Sequence, residues 1–288
     1  MFSLLYIPWF QAKPWIIPLP FEVPIFRVHE IPLQPFGILV ALAVIVGQKT
    51  TELRGRRYGI PPAVSADFVF HVVLWGFVFG YVLNVVFYEP VVMREVWNNP
   101  AVLLRQYLGL SSYGGFIGAI FGMLLWKIRR RLPLLPIADA TAFAFPFAWF
   151  LGRLGCFVVH DHPGQVTDFP LAVADYRVGP PPYAPRHDLG LYEALWCVFA
   201  CLVFLAIRRR PHRPGFFLAL LPMLYAPARF FLDYLRAPPS EGGDLRYAGF
   251  TPGQYASIAL YIIAALFLYA IHRGGQREDE GEEAHEEA

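Results

Sequence analysis

Charge is scarce in this chain of 288 residues, in which 16% of positions are Asp, Glu, Lys or Arg and 56% are hydrophobic. Cysteine is scarcer still, and the three cysteines provide no disulfide framework. We interpret Cys197 and Cys201, one helical turn apart in an apolar stretch, as small packing residues. The amino terminus also lacks the basic region and following apolar run of a cleaved signal peptide. These absences favour an integral membrane protein that does not depend on disulfides.

Long apolar stretches are abundant. A helix needs about 20 residues to cross a hydrocarbon core of about 30 Å. Seven stretches reach this length or nearly reach it, and they predict an all-α membrane protein with seven transmembrane helices. The predicted spans are 33–53, 67–88, 113–128, 137–160, 189–207, 215–235 and 251–272.

Basic residues orient the predicted spans. A basic cluster follows each odd-numbered span, so all the clusters fall on one side of the membrane. Cytoplasmic loops carry the excess of Lys and Arg in membrane proteins. We therefore predict that the amino terminus lies outside and the carboxyl terminus inside. The clusters are 54–57, 127–131, 208–213 and 272–273.

The two ends of the chain differ from the predicted transmembrane domain, 32–273. Five prolines precede residue 25 and exclude a helix, so we predict that 1–31 is a periplasmic arm at the membrane interface. Seven acids crowd the last eleven positions, and 274–288 is predicted to be a disordered acidic cytoplasmic tail. Without this tail the chain is more basic than its net charge of +2. Its expected charged partner is the anionic surface of the lipid bilayer and not nucleic acid.

Two arginines interrupt predicted spans. Arg153 lies in the fourth span and Arg229 in the sixth. A guanidinium at membrane depth costs several kcal/mol unless it meets an anion or a wet cavity. Both lie roughly 22–24 Å from the cytoplasmic ends of their spans, at about 1.5 Å per residue. We predict one anion pocket that opens toward the outer leaflet; the alternative is a local pair of Arg229 with Asp233.

Short motifs surround these arginines. Gly152 and Gly155 flank Arg153 and permit close approach. Arg229, Asp233 and Arg236 follow at i, i+4 and i+7, which places them on one helical face. The remaining motifs are Ser-Tyr-Gly-Gly-Phe-Ile-Gly at 112–118, Arg186-His187 and Leu-Tyr-Glu-Ala at 191–194. Gly114, Gly118 and Gly122 repeat at four-residue spacing, a pattern that usually packs helices.

Taken in this order, the motifs resemble the prolipoprotein diacylglyceryl transferase family, from Phe36-Gly37 to Thr251-Pro-Gly-Gln254. That family moves diacylglyceryl from phosphatidylglycerol to the lipobox cysteine of a preprolipoprotein. The resemblance implies a seven-span enzyme of the bacterial inner membrane, with its site on the periplasmic side. It implies lipobox signal peptides as partners and no cofactor. Periplasmic segments 89–112 and 161–188 are expected to cover an outer-leaflet cavity.

The resemblance also implies functional residues. Arg153 and Arg229 match the family's arginines, and Asp233 stands where the family carries glutamate. Tyr113 stands where members carry histidine or tyrosine. The implied substrate-binding residues are Gly114, Gly115, Gly152, Arg153, Gly155, Cys156, Tyr192, Glu193, Arg229, Asp233 and Arg236.

Several positions depart from the family pattern. Cys156 replaces an asparagine, and Phe36 replaces a tyrosine. Val159-His160-Asp161 stands for Asn-Gly-Glu, and Asp188-Leu189-Gly190 stands for Pro-Ser-Gln. The changes cluster around the predicted site, so a different acceptor or donor stays open.

The implied reaction needs stabilised phosphate charge and an activated thiol. Arg153 and Arg229 suit the phosphate, and Arg229 is also predicted to be catalytic. A thiol has a pKa of about 8.5 and benefits from a nearby base. The candidate residues for this role are Tyr113, His160, Asp161 and His187, among which the sequence does not choose.

Two other functions stay open. A divalent metal would suit a membrane lipid hydrolase, but His160 and His162 at i, i+2 do not share a helical face, so we predict no metal. A non-catalytic paralogue could bind anionic lipid through the same arginines. The possible metal ligands are His160, Asp161, His162, Asp168, His187, Asp188 and Glu193.

Overall fold

A computed structural model describes residues 6–10, 12–23, 28–99, 109–174, 184–241 and 243–286. The chain divides into two compact units. The first unit contains Met1–Pro14, Gln34–Thr50 and Ala138–Ala288, and the second contains Trp15–Leu33 and Thr51–Ile137. The helices are α1 (Pro35–Gly55), α2 (Pro62–Tyr88), α3 (Pro90–Asn98), α4 (Ser112–Arg130), α5 (Leu134–Val159), α6 (Leu189–Ile207), α7 (Phe216–Leu232) and α8 (Pro252–Glu286).

The helices are those of a multi-pass membrane protein. Among the described residues, six have the length and composition to cross a membrane, namely those in α1, α2, α5, α6, α7 and α8. Many large apolar side chains on them point outward, including Phe70, Leu202 and Ile263, as expected where lipid is the solvent. Helix α4, the predicted third span, is not among the six because its glycines and Lys127 lower its mean hydropathy. Seven spans and their orientation stay a prediction.

In the second unit, helices α2 and α4 pack closely through glycine. A Cβ added at Gly114, Gly118 or Gly122 would meet the backbone of Phe79, Trp75 or His71 on α2. Small residues let membrane helices approach to backbone contact. The spacing of four residues predicted such a face, and the structure confirms that it packs helices.

In the first unit, helices α5, α6 and α7 share an aromatic cluster. Phe143, Phe204 and Phe217, one from each helix, are buried against one another with ring centroids 4.9–5.8 Å apart. Beside it, Asp139 on α5 accepts backbone N–H bonds from Phe217 and Leu218 and so caps α7. Ten to twelve residues along each helix from this cluster come Arg153, Glu193 and Arg229.

Short strands lie outside the helices. In the first unit, β1 (Ile7–Pro8), β4 (Pro163–Val166), β5 (Val173–Ala174) and β6 (Pro185–Asp188) form a sheet in the order β1-β5-β6-β4. In the second unit, β2 (Trp15–Val23) pairs antiparallel with β3 (Val28–Leu33). The described part of the proline-rich arm is therefore extended. Residues 175–183 and 100–108, which belong to the predicted periplasmic covers, lie outside the described residues.

The carboxyl terminus differs from the expected disordered tail. Helix α8 continues past the end of its candidate span at Gly274 and reaches Glu286. Glu and Ala are good helix formers, and they extend a helix that is already nucleated in the apolar segment. The structure places 274–286 in α8, so the prediction of a disordered tail is wrong for these residues.

Candidate active site

A fully buried carboxylate joins the two intramembrane arginines. Glu193 lies in the first turns of α6, where Asp188 caps the helix by accepting the Leu191 N–H at 2.9 Å. Its Oε2 lies 2.7 Å from Arg153 Nε on α5. Its Oε1 accepts from Arg229 Nη1 on α7 at 2.9 Å. The predicted meeting of Arg153 and Arg229 thus takes place on one carboxylate from a third helix.

Two aromatic side chains complete the surroundings of Glu193. The Tyr225 hydroxyl donates to Glu193 Oε2 at 3.2 Å. The Arg153 guanidinium lies over the Trp149 ring, 4.6 Å from its centroid, in a cation–π contact. Both aromatics lie four residues before an arginine on the same helical face. The sequence contains this spacing, but the spacing alone does not show that either aromatic side chain contacts Arg153 or Glu193.

From Arg229 the ion pairs continue toward the end of α7. Arg229 Nη2 lies 3.1 Å from Asp233 Oδ1, and Arg236 Nε lies 3.2 Å from the same oxygen. Arg236 Nη1 also lies 2.8 Å from Asp244. The local pair of Arg229 with Asp233 therefore forms, and it forms together with the Glu193 contact. We call Arg153, Glu193, Arg229, Asp233 and Arg236 the Glu193 network.

The start of α8 fixes Asp233. The Thr251 hydroxyl donates to Asp233 Oδ2, and Gln254 donates to the Phe230 carbonyl at 3.1 Å. Gln254 Oε1 also accepts the Thr251 N–H at 3.0 Å. Thr251 and Gln254 thus tie α8 to the end of α7, a role that their motif alone did not indicate.

The Glu193 network exposes its cations more than its anions. The side chains of Glu193 and Asp233 are 1% and 0% exposed, whereas those of Arg153, Arg229 and Arg236 are 12%, 17% and 25% exposed. Three arginines thus surround two buried carboxylates. Guanidinium groups arranged in this way can bind an additional anion, for which phosphate has the matching bidentate geometry.

The two glycines beside Arg153 have different surroundings. A Cβ at Gly155 would lie 3.0 Å from the ring of Phe36, so this glycine allows α1 to pack on α5. A Cβ at Gly152 would meet nothing within 4 Å among the described atoms. Space beside Gly152 therefore borders the turn of helix that carries Arg153.

Helix α5 ends in a turn that brings three different polar side chains together. His160 adopts a left-handed conformation with φ 51°, and the Asp161 N–H donates back to the Cys156 carbonyl at 3.4 Å. This is the geometry of a Schellman-type helix end. As a result, ligand atoms of Cys156, Asp161 and His162 lie within 4.8 Å of one another. Cys156 Sγ also lies 3.8 Å from Arg153 Nη1.

The histidines predicted as bases have different surroundings. His160 is 2% exposed, and its Nδ1 lies 2.9 Å from Asp188 Oδ2, so it fastens the end of α5 to the cap of α6. His187 is half-buried, and its Nδ1 lies 2.8 Å from the Tyr192 hydroxyl. Burial lowers the pKa of His187 below its ordinary value of 6.5, which favours the neutral imidazole.

The other predicted residues make contacts of their own. Tyr113 is exposed on α4 in the second unit, where Gly114 contacts α2 and Gly115 lies beside it. The predicted metal set is divided among separate contacts in the first unit. Asp168 accepts from the Tyr6 hydroxyl at 3.1 Å, and Glu193 binds the arginines.

These features define a class: a multi-pass α-helical membrane protein whose helices enclose a network of arginines around buried carboxylates. The sequence profile of the prolipoprotein diacylglyceryl transferase family matches residues 24–270. The chain belongs to that family, and it is a transferase of the lipoprotein-biosynthesis class.

Curated relatives agree with this assignment over nearly the whole chain. A phosphatidylglycerol–prolipoprotein diacylglyceryl transferase of Bradyrhizobium diazoefficiens is 30% identical over 276 residues, covering 89% of this chain and 95% of the relative. One from Nitrobacter winogradskyi is 30% identical over 286 residues, covering 90% and 93%. One from Chromohalobacter salexigens is 28% identical over 255 residues, covering 86% and 89%.

Proposed function

We propose that the chain transfers the diacylglyceryl group of phosphatidylglycerol to the lipobox cysteine of preprolipoproteins and releases glycerol phosphate. The single observation that carries this proposal is the pairing of Arg153 and Arg229 on Glu193. Two guanidinium groups at membrane depth give a lipid phosphate a binding place that few other membrane sites offer. The names of the relatives supply the two substrates.

In this proposal the arginines act on the leaving group. The acceptor sulfur attacks the glycerol carbon that bears the phosphate ester, a carbon–sulfur bond forms, and the carbon–oxygen bond breaks. The departing oxygen gains charge on glycerol phosphate, and preorganised cations stabilise that charge most where water is excluded. Arg229 is the principal cation because Glu193 and Asp233 fix two of its nitrogens. Arg153, Gly152 and Gly155 border the headgroup.

His187 receives the thiol proton in this proposal. Its neutral form is favoured by burial, and its ring is oriented by the Tyr192 hydroxyl at 2.8 Å. We prefer it to His160, which is almost fully buried against Asp188. A base is useful because only the thiolate is a strong nucleophile.

The location follows the sequence prediction. The chain crosses the bacterial inner membrane seven times, with the amino terminus outside and the site facing the periplasm. The basic clusters after odd-numbered spans support this orientation. Tyr113, Gly114 and Gly115 on α4 take part in substrate binding in this proposal.

A turnover assay in detergent tests the proposal. Phosphatidylglycerol and a lipobox peptide are mixed with wild type, Arg153→Ala, Arg229→Ala and the control Arg130→Ala, an arginine of the second unit paired with Asp67. Glycerol phosphate release and peptide mass are followed together. We expect release coupled to a diacylglyceryl gain on cysteine, lost in the first two variants and retained in the control.

Other outcomes distinguish the alternatives. Release without a change in peptide mass would indicate a hydrolase or another acceptor. Bound lipid without release in the wild type would indicate a lipid-binding paralogue. Full activity in both arginine variants would contradict the proposed role of the Glu193 network.

A further inference from the structure

One buried hydrogen-bond donor lies beside the Glu193 network. Trp149 Nε1 is shielded from solvent and has no hydrogen-bond acceptor among the residues that the structure describes. A buried indole N–H usually finds a partner, and leaving it unpaired costs free energy. The other ends of this neighbourhood are well paired, since the Arg153 guanidinium lies over the same ring and also contacts Glu193. The indole N–H is therefore the donor here that a bound molecule can still satisfy.

The Trp149 ring is held in place along one face of α5. Phe145, Trp149 and Arg153 follow one another at four-residue spacing. The rings of Phe145 and Trp149 stack with their centroids 5.0 Å apart, and the Arg153 guanidinium lies 4.6 Å from the Trp149 centroid. The indole is thus kept at a set distance from the cation that the proposed function assigns to the lipid phosphate.

Space for a ligand lies on the same side of α5. Gly152 follows Trp149 by three residues, so the two are neighbours on the helix surface. A Cβ at Gly152 would lie in open space as far as the described part of the chain is concerned. Trp149 is partly exposed as a residue although its nitrogen is covered. A small rotation of the ring would turn its N–H toward a group that enters beside Gly152.

The depth of Trp149 selects the kind of acceptor. It precedes Arg153 by four residues and so lies about 6 Å nearer the cytoplasmic end of α5. In the orientation proposed above, the acyl chains of an outer-leaflet lipid run in that direction from its phosphate. The glycerol backbone and two ester carbonyls come first, and the hydrocarbon chains, which accept no hydrogen bond, come after them. An indole N–H only donates, so an ester carbonyl is its matching partner at this level.

We propose that the Trp149 N–H donates to an ester carbonyl of the diacylglyceryl group, so that the site selects ester-linked over ether-linked phosphatidylglycerol. This inference rests on the proposed transferase function. With its phosphate on Arg153 and Arg229 and an ester carbonyl on Trp149, the lipid is held on both sides of the glycerol carbon that the thiol attacks. Holding that carbon in one place favours the displacement. Trp149 is a substrate-binding residue in this scheme and does not touch the bond that breaks.

The dialkyl ether of phosphatidylglycerol is the probe, because it has the same headgroup and the same chain length without ester carbonyls. The full chain in detergent receives a lipobox peptide and either lipid, and kcat/KM is measured by glycerol phosphate release. We expect the wild type to use the ester lipid better. In Trp149→Phe, which keeps an aromatic ring and removes the N–H, this preference should be about tenfold smaller, a change that corresponds to about 1.4 kcal/mol. Any intrinsic difference in reactivity between the two lipids is common to both proteins and cancels in this comparison.

Trp126→Phe in the second unit is the matched control. The Trp126 indole N–H already has its acceptor in Asp67 at 2.8 Å, so its removal should leave the wild-type preference unchanged. Thermal unfolding in mixed micelles confirms that each variant folds. Loss of the preference in Trp126→Phe as well would overturn the proposal, because the effect would then not be specific to Trp149.

Three further outcomes would overturn the role of Trp149. Equal use of the two lipids by the wild type does so without any variant. An unchanged preference in folded Trp149→Phe shows that the N–H does not meet the ester. An equal loss of turnover with both lipids shows that the ring only positions Arg153.

Lipid binding without peptide separates this proposal from the proposed function. The rise in melting temperature on adding each lipid is measured for the wild type and for Trp149→Phe. Turnover with an unchanged preference leaves the transferase function standing and overturns the ester contact. Ester-selective stabilisation that Trp149→Phe loses, with no turnover of either lipid in the wild type, contradicts the transferase function and leaves the lipid contact standing.

Discussion

Two charge clusters, one in each unit, differ in how deeply their charges are buried. In the second unit, Asp67 accepts from Arg130 through two nitrogens at 2.8 and 2.9 Å and from Trp126 at 2.8 Å. We call these three residues the Asp67 cluster. In the first unit, Glu193 and Asp233 face three arginines contributed by α5 and by α7 with the turn that follows it.

Exposure separates the two clusters further. In the Asp67 cluster the Arg130 side chain is 53% exposed and the Asp67 side chain 27% exposed, and one cation meets one anion. Such a pair joins α2 to α4, and its net charge is too small to attract another ion strongly. In the Glu193 network the two anions are closed off, and the third carboxylate, Asp244, pairs with Arg236 at the exposed edge. We infer that paired arginines indicate function when their shared counter-ions lie deeper than the arginines themselves.

The largest difference between the two clusters is expected in turnover when an arginine of each is replaced by lysine. Arg229→Lys should lower kcat/KM on the order of 100- to 1000-fold, because one ammonium cannot contact Glu193, Asp233 and a phosphate together. Arg130→Lys should leave turnover near that of the wild type. Both are measured by glycerol phosphate release. Near-normal turnover in Arg229→Lys would remove bidentate phosphate binding from the proposed mechanism.

Neutralising one carboxylate in each cluster should show that the two clusters contribute differently to the free energy of unfolding. Glu193→Gln should lower the free energy of unfolding by about 3 kcal/mol, because it leaves two buried guanidiniums without their shared carboxylate. Asp67→Asn should lower it by about 1 kcal/mol, since Arg130 can turn to solvent. Unfolding in mixed micelles measures both values. Equal losses would show that burial does not distinguish the clusters.

Histidine gives a third contrast, through pH. His187 has a pKa below 6.5, so its base form is present at neutral pH and is lost only as pH falls through that lower value. We expect kcat/KM to fall at acid pH below 6.5 in the wild type. His187→Gln should lower kcat/KM about 100-fold and remove that acid limb.

The control for this contrast is His71→Gln in the second unit, where His71 Nδ1 lies 2.8 Å from the Asp67 carbonyl. It should keep the wild-type pH profile. A profile that His187→Gln leaves unchanged would assign the proton to another group.

Much of the site could be predicted from the sequence, because the depth of a residue in the membrane follows from its position along a helix alone. Span boundaries and a rise of about 1.5 Å per residue placed Arg153 and Arg229 at one level. The sequence also predicted that the glycines of α4 pack helices. Both inferences need only helical geometry and the cost of charge in lipid.

The remaining features of the site could not be predicted from the sequence, because they depend on contacts between side chains of different helices. Glu193 was expected near the site, but its position between Arg153 and Arg229 required knowing how α6 rotates against α5 and α7. The turn of 156–162 required the left-handed conformation at His160, which a histidine adopts rarely and which no spacing rule predicts.

The smallest difference between the two units is expected for glycine-to-alanine substitutions. These substitutions test whether the stability of the second unit depends on the close packing of α2 and α4. Gly118→Ala should lower the free energy of unfolding by about 2 kcal/mol, because its Cβ would collide with the Trp75 carbonyl on α2, which cannot retreat as a side chain could. Gly152→Ala, on α5 in the first unit, has open space around its Cβ and should be neutral or stabilising by up to about 1 kcal/mol. Unfolding in mixed micelles measures both. A lower kcat/KM in Gly152→Ala with unchanged stability would show that substrate uses the space beside Arg153. Gly118→Ala should lower activity only by the fraction of the protein that is unfolded.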